Sequence, residues 1–365
     1  MWKRLARAVT ATLTATLTVV VTGGPLAGCS SSGDEPTSPP GNTATPGDET
    51  PAPTPTSAPT PTAAPTPDFN DPVVKGEYIV RAQLGCDGCH TPRLPTGEPD
   101  PDLYMAGAIT FLDLDPDDPE VGNVPAPNLT NDTTGLADWT DEEIKDAMLN
   151  GIGRDGQPLV PIMSYYIMHN MLPDDADAIV AYLRTVEPID NDIPPRQPLP
   201  FAMPGPAQPV PVSAIPESTL PSSDARYESA RRGRYIAGLL GSCMDCHTPF
   251  KTGQPIPLDL NKLFAGGREF KATITIGAPD VPTVVYSANI TPDATGIQGW
   301  TAEQVVTLLY TGVDNQGHTT CAPMSYASGP IGPYSHLTDQ DVHDIANYIT
   351  TLPPNQNTVT QQCSP

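Results

Sequence analysis

Apolar positions along this chain gather into short amphipathic runs, set between long polar stretches rich in proline. Their spacing predicts a helix over Val73 to Leu84 and another over about Asp224 to Leu240. Thr140-Asp141-Glu142-Glu143 and Thr301-Ala302-Glu303-Gln304 read as capping boxes. In such a box the Thr hydroxyl and the Glu or Gln three residues on satisfy each other's backbone amides, so helices should start at both places. Closing helices are expected over about Asp174 to Thr185 and Asp339 to Thr351. Gly76 and Gly233 carry no side chain, so the first helix of each set can approach the last closely, with Tyr182 and Tyr348 covering the crossing.

The runs repeat. Gly76-Glu77-Tyr78-Ile79 returns as Gly233-Arg234-Tyr235-Ile236, and Asn128-Leu129-Thr130 as Asn289-Ile290-Thr291. Gly135, Trp139 and Thr140 return as Gly296, Trp300 and Thr301. Tyr104-Met105-Ala106-Gly107 corresponds more loosely to Phe264-Ala265-Gly266-Gly267. The period far exceeds that of a solenoid and describes two tandem, mainly α domains with long irregular loops. The expected boundaries are residues 72–188 for the first and 223–365 for the second. Proline numbers 47 in the chain, and residues 189–222 hold many of them, so this stretch should be a strap or semi-rigid spacer without regular structure.

The N-terminus reads as an export signal over residues 1–28. Lys3, Arg4 and Arg7 precede an apolar stretch, Ala8 to Val21, too short and too Thr-diluted to span a membrane. Leu26-Ala27-Gly28-Cys29 resembles a bacterial lipobox, in which Cys29 is lipidated and becomes the first mature residue. Ser30, rather than Asp, follows that Cys, which in the Gram-negative lipoproteins it resembles implies delivery to the outer membrane. Residues 29–71 are Pro, Thr, Ser, Ala and Gly with a few acids; they cannot bury a core and should form a disordered tether.

The densest chemistry is Cys86-Asp87-Gly88-Cys89-His90, repeated as Cys243-Met244-Asp245-Cys246-His247. C-x-x-C-H is the attachment signature of c-type haem. Its two thiols reach one edge of a porphyrin as thioethers, and the adjoining imidazole reaches the iron. A zinc ribbon wants its two Cys pairs much closer together, and a dithiol redox site needs no following His. Two covalent haems are therefore expected, on Cys86, Cys89, Cys243 and Cys246, with His90 and His247 as proximal ligands. A sixth ligand is foreshadowed by Gly151 leading to Met163-Ser164-Tyr165 and, at the same interval, Gly312 leading to Met324-Ser325-Tyr326. Met163 and Met324 are the candidates; Met168, Met171 and His169 rival the first, and His318 and His336 the second.

These segments resemble tandem class I cytochrome c domains, most nearly the cytochrome subunits of membrane-bound alcohol and gluconate dehydrogenases. Asn289-Ile290-Thr291-Pro292-Asp293, Gly296-Ile297-Gln298-Gly299-Trp300-Thr301 and Pro323-Met324-Ser325-Tyr326 carry the resemblance; in the first copy Ile162 stands where Pro323 stands in the second. The resemblance implies redox protein partners: a dehydrogenase, other cytochromes or a terminal oxidase. Subunits of that kind usually carry three haem motifs, where this chain has two.

Charge narrows the partners. The formal net charge is −24, a poor match for nucleic acid or anionic lipid, so membrane contact should run through the lipid anchor alone. The function expected is a periplasm-facing electron carrier rather than an enzyme. The alternatives are a di-haem enzyme, peroxidase-like or thiosulfate-oxidising, an electron-accepting dehydrogenase subunit, or a haem-based sensor; the enzyme and the sensor need an open or labile iron position. Among the remaining cysteines, Cys321 and Cys363 are expected to pair in an oxidising compartment, fastening the polar tail Pro353 to Pro365. Asp113, Asp115, Asp117 and Asp118 read as a solvated acidic loop, since the EF-hand positions for Gly and Glu hold Asp118 and Val124. Asn128 and Asn289 fit a glycosylation sequon, with polar contacts near a haem edge the preferred role. Trp139 and Trp300 fit either haem-propionate donors or core packing.

Overall fold

The computed structural model describes residues 67–360 except 95–97, 114–119, 272–283, 322 and 329–331. Cys29, Cys363, most of the acidic loop and most of the Pro/Thr-rich tether lie outside the described residues.

Asp71 accepts from the Val73 amide and Pro72 supplies a preset φ at the first turn, so helix α1 starts at Pro72 and runs to Tyr78. The expected helix then widens into a π-turn, Ile79–Gln83, closed by Leu84 N–H donating to the Ile79 carbonyl at 2.9 Å. Gly85, at φ 62°, ends it, and Cys86 N–H reaches back to the Val80 carbonyl at 2.9 Å. The short helix α2, Asp87–His90, follows. Apolar periodicity does not distinguish one widened turn from α-helix, so the bulge was not legible beforehand.

A two-stranded antiparallel hairpin, β1 Ala108–Asp113 with β2 Asn123–Ala126, leads toward α3, Asp141–Lys145. Both bonds of the Thr140/Glu143 capping box are present. This helix also ends in a π-turn, Asp146–Asn150, stopped by Gly151 at φ 65°. Then come α4, Tyr165–Met168, and α5, Pro173–Leu183.

The series recurs. Helix α6, Tyr227–Arg234, passes into the π-turn Tyr235–Leu239. A hairpin of β3, Glu269–Lys271, and β4, Val284–Tyr286, precedes α7, Ala302–Thr311, again boxed, by Thr301 and Gln304. Helices α8, Met324–Ala327, and α9, Asp339–Ile349, complete it.

Helix α1 crosses α5, and α6 crosses α9, each at a glycine. A Cβ built at Gly76 would overlap the Ala178 carbonyl, and one at Gly233 the Asp344 carbonyl; the Cβ atoms of Tyr182 and Tyr348 lie 2.8 Å from those positions. The larger of two main apolar clusters spans both copies, with Tyr78, Ala82, Tyr165, Tyr166 and Ile167 of the first joining Ile236, Met244, Phe264 and Ile345 of the second; the other lies mostly within the first copy. The proline-rich connection is part of the larger cluster. Val210 and Ile215 are fully buried, and Val210 N–H donates to the Tyr166 carbonyl at 2.8 Å while Asn170 returns a bond to the Val210 carbonyl. Proline removes donors without preventing burial, so this stretch is a strap laid across both copies.

Candidate functional site

His90 and His247 occupy the same local frame. His90 is 8% exposed and its Nδ1 lies 2.9 Å from the Pro127 carbonyl; His247 Nδ1 lies 2.8 Å from the Ala288 carbonyl. A carbonyl only accepts, so the proton sits on Nδ1 and Nε2 presents its lone pair. Burial holds both imidazoles below their ordinary pKa, against the opposing pull of that hydrogen bond. Burial also pushes the Cys86, Cys89 and Cys243 thiols up to about 12. In these buried pockets the thiols are held in their neutral form. Among the described residues no group of three or more His, Cys, Asp or Glu could hold a free metal ion.

Backbone bonds lock each His. Gly107 N–H donates to the His90 carbonyl at 2.8 Å and Gly266 N–H to that of His247 at 2.7 Å. Thr91 accepts from the Met105 amide and Thr248 from that of Phe264. Met105 and Phe264 both adopt φ 61°. These bonds correct the loose sequence correspondence by one position: Met105, not Tyr104, is the counterpart of Phe264.

The Asn-x-Thr segments follow directly after the two carbonyls. Asn128 is 2% exposed and Asn289 3%. Asn128 Oδ1 accepts from the Thr130 amide, and its Nδ2 donates to Thr134 and to the Ile189 carbonyl. Asn289 repeats this with Thr291, Thr295 and Asn355. The chain leaving each last helix is thus bound back over the loop that orients each His, and an acceptor for a glycan is ruled out by burial.

Met163 is half-buried and touches both apolar clusters; Met324 is half-buried against the larger one. Among the rivals, Met168 and Met171 are buried in the first copy's apolar cluster. His169 is exposed with Nδ1 at the Leu149 carbonyl, His318 is 71% exposed beside Asp314, and His336 is exposed. Trp139 and Trp300 pack, half-buried, on the two cores. Cys321 is disulfide-bonded; Cys363 lies outside the described residues.

Sequence reasoning missed a polar cluster between the second motif and the Met163 segment. Asp245, inside the second motif, accepts from Ser164 at 2.7 Å and Tyr166 at 2.6 Å, both beside Met163. Arg268 Nη1 completes it, 2.6 Å from Asp245 Oδ1. An acid inside an otherwise apolar attachment loop was the available signal. The motifs are close enough that Cys89 senses Cys246 and Asp245 electrostatically.

Each motif therefore presents two neutral thiols and an adjoining imidazole whose Nδ1 is already committed, a donor set that fits covalent haem. A cytochrome c family model matches residues 231–353. The cytochrome c subunit of the quinone-type alcohol dehydrogenase of Gluconacetobacter polyoxogenes is 31% identical, over 77% of this chain and 56% of that protein. The fructose dehydrogenase cytochrome subunit of Gluconobacter japonicus is 27% identical, over 77% of this chain and 52% of that protein. A diheme cytochrome c-type protein of Cereibacter sphaeroides is 26% identical, over 76% of this chain and 85% of that protein. The chain spans about half the length of the dehydrogenase subunits it matches. It carries a cytochrome c domain, is homologous to proteins named as cytochrome c subunits of dehydrogenases and binds haem c covalently.

Proposed function

We propose that the chain is a di-haem electron carrier of the bacterial cell envelope, passing single electrons between redox proteins. The observation that carries this is the duplicated His–carbonyl device at two adjoining C-x-x-C-H motifs within one shared core. Haem c supplies the one-electron couple at each motif. Cys86, Cys89, Cys243 and Cys246 fix it covalently, and His90 and His247 present Nε2. Met163 and Met324 supply the sixth ligands; their thioethers sit at apolar clusters, whereas the rival histidines face solvent. A closed coordination sphere suits electron transfer and leaves no position for substrate.

The two repeats form tandem class I cytochrome c domains under this reading, joined by the strap at 189–222. The dehydrogenase names of the relatives support a dehydrogenase as electron donor, with a further cytochrome or an oxidase as acceptor. Among the described residues no helix is long and apolar enough to cross a membrane; attachment runs through lipidated Cys29, facing the periplasm from the outer membrane. The acidic surface suits a basic docking face on a partner.

Mass spectrometry of exported protein tests the cofactor count: two haem additions surviving acid extraction are expected, and one or none would refute the di-haem reading. The red absorption band of methionine–iron ligation tests the ligands. Met163→Ala and Met324→Ala should each remove part of it and lower one haem potential. High-spin signals in the unmodified protein would favour an enzyme or a sensor instead.

A further inference from the structure

The segment bearing Met163 is held in part by a residue of the other copy. Ser164 Oγ donates to Asp245 Oδ2 at 2.7 Å and Tyr166 OH to Asp245 Oδ1 at 2.6 Å. Asp245 is itself clamped by Arg268, whose Nη1 bonds both its Oδ1, at 2.6 Å, and its backbone carbonyl, at 2.8 Å. The Arg268 and Asp245 side chains are only 8% and 15% exposed, Tyr166 is fully buried, and the guanidinium lies 4.9 Å from the Phe250 ring centroid. A buried carboxylate with one cation and two hydroxyl donors is fixed in position, since losing any partner strands a charge away from water.

The arrangement is one-sided. The counterpart of Asp245 in the first motif is Gly88, and the register set by Met105 and Phe264 puts Ile109 opposite Arg268. At the counterpart position the first motif therefore offers the Met324 segment no carboxylate. That segment has a different brace, the disulfide-bonded Cys321 three residues before Met324.

We propose that Asp245, within the second haem-attachment loop, is the positioning residue for Met163 at the first haem. The first site then keeps its sixth ligand only while the second loop is formed, and the two haems behave as one redox unit. This rests on Met163 being the sixth ligand of the first haem.

The test uses the haem-loaded chain carrying Met324→Ala, where any methionine–iron band comes from Met163. Adding Met163→Ala must abolish that band; its persistence would refute the ligand reading, and with it the proposal, whereas a band that is abolished here but unmoved by the changes below would refute the proposal alone. Into the same background go Asp245→Ala and, separately, Ser164→Ala with Tyr166→Phe. The second combination leaves the Asp245–Arg268 pair whole, so it decides the matter if Asp245→Ala does not fold. Both should weaken the Met163 band and tighten imidazole binding at that iron at least about tenfold, since each removes two hydrogen bonds to the carboxylate and one such bond is already worth about tenfold. In a Met163→Ala background the same changes should leave the Met324 band in place. An unchanged Met163 band with unchanged imidazole affinity, or loss confined to the Met324 band, would overturn the proposal.

Discussion

The Tyr78 hydroxyl donates to Asp341 Oδ2 at 2.5 Å and accepts from the Thr338 amide at 2.9 Å, joining the first helix of one copy to the last helix of the other. The converse pair repeats it: Tyr235 donates to Asp175 and accepts from the Leu172 amide at 3.0 Å. Tyr78 and Tyr235 stand equally far before their haem motifs. Asp175 and Asp341 are each the third residue of their helices, and Leu172 and Thr338 the N-caps. The contact is thus a pseudo-two-fold exchange, the pattern of an isologous dimer interface within one chain. It keeps the two attachment loops side by side.

Replacing Tyr78 by Phe removes a bond to a carboxylate and leaves the Thr338 amide without the hydroxyl it donates to. A loss of about 1.5–3 kcal/mol in unfolding free energy is expected. Tyr235→Phe should cost less, because Asp175 keeps the Lys75 ammonium whereas Asp341 keeps only the neutral Gln83 amide at 2.9 Å. Denaturant titration of the haem-loaded protein measures both. A double-mutant cycle of Tyr78→Phe with Asp341→Asn that gave no coupling would show the bond to be energetically idle.

Asp341 also makes stability depend on pH in a stated direction. Burial raises its pKa; the bonds from Tyr78 and Gln83 oppose this, and neighbouring Asp344 adds to it. A carboxyl with a raised folded pKa contributes stability below its unfolded pKa and loses it as pH rises through the folded value. Asn cannot ionise. The stability of Asp341→Asn relative to the unmodified protein should therefore climb with pH from about 4, the unfolded carboxyl value, and level off above the folded one. Unfolding free energies of both proteins across that range decide it; the opposite slope would mean that the two hydrogen bonds outweigh burial.

The helix crossings admit no side chain. Gly76→Ala and Gly233→Ala each drive a Cβ into a backbone carbonyl that has no rotamer to escape into. Each should cost about 3 kcal/mol, the upper end for overpacking. The helix-propensity gain of about 1 kcal/mol does not offset this. Gly205→Ala, where a Cβ meets nothing within 4 Å, serves as control and should stay within about 0.5 kcal/mol. Thermal unfolding followed at the haem band reads all three, and near-neutral values at Gly76 and Gly233 would show that the crossings can open.

Local signals account for what the sequence revealed. Thr140 and Thr301 announced their helices because a capping box is satisfied within four residues, and Gly76 and Gly233 announced crossings because only a missing side chain permits them. Residues acting across long separations stayed hidden. Nothing near Tyr78 in sequence points to Asp341, and nothing near Ser164 points to Asp245, since these bonds depend on how the copies dock. Asn128 and Asn289 were legible as a pair but not in role. Their Asx turns are local, while the Ile189 and Asn355 carbonyls they bind come from beyond the last helices.

The final prediction concerns Cys321. It is disulfide-bonded, and Cys86, Cys89, Cys243 and Cys246 are free for haem. Cys363 is the partner we expect, in the tail after α9. That tail is already fastened nearby: Asn355 N–H donates to Thr291, and Asn357 Nδ2 to the Ala265 carbonyl. A link closing a loop of about 40 residues contributes roughly 3–4 kcal/mol in the loop-entropy model. That entropy is removed from the unfolded chain, where these native hydrogen bonds are absent, so they do not diminish the gain. Its specific effect should be on Met324, because Ser325 N–H donates to the Cys321 carbonyl at 2.9 Å, coupling the cross-linked residue to the start of α8. Cys363→Ser should therefore lower the melting temperature and the potential of the second haem while leaving the first, braced through Asp245, in place. Non-reducing peptide mapping identifies the partner. A free Cys363 thiol would remove the pairing, and equal shifts at both haems would remove the selective brace.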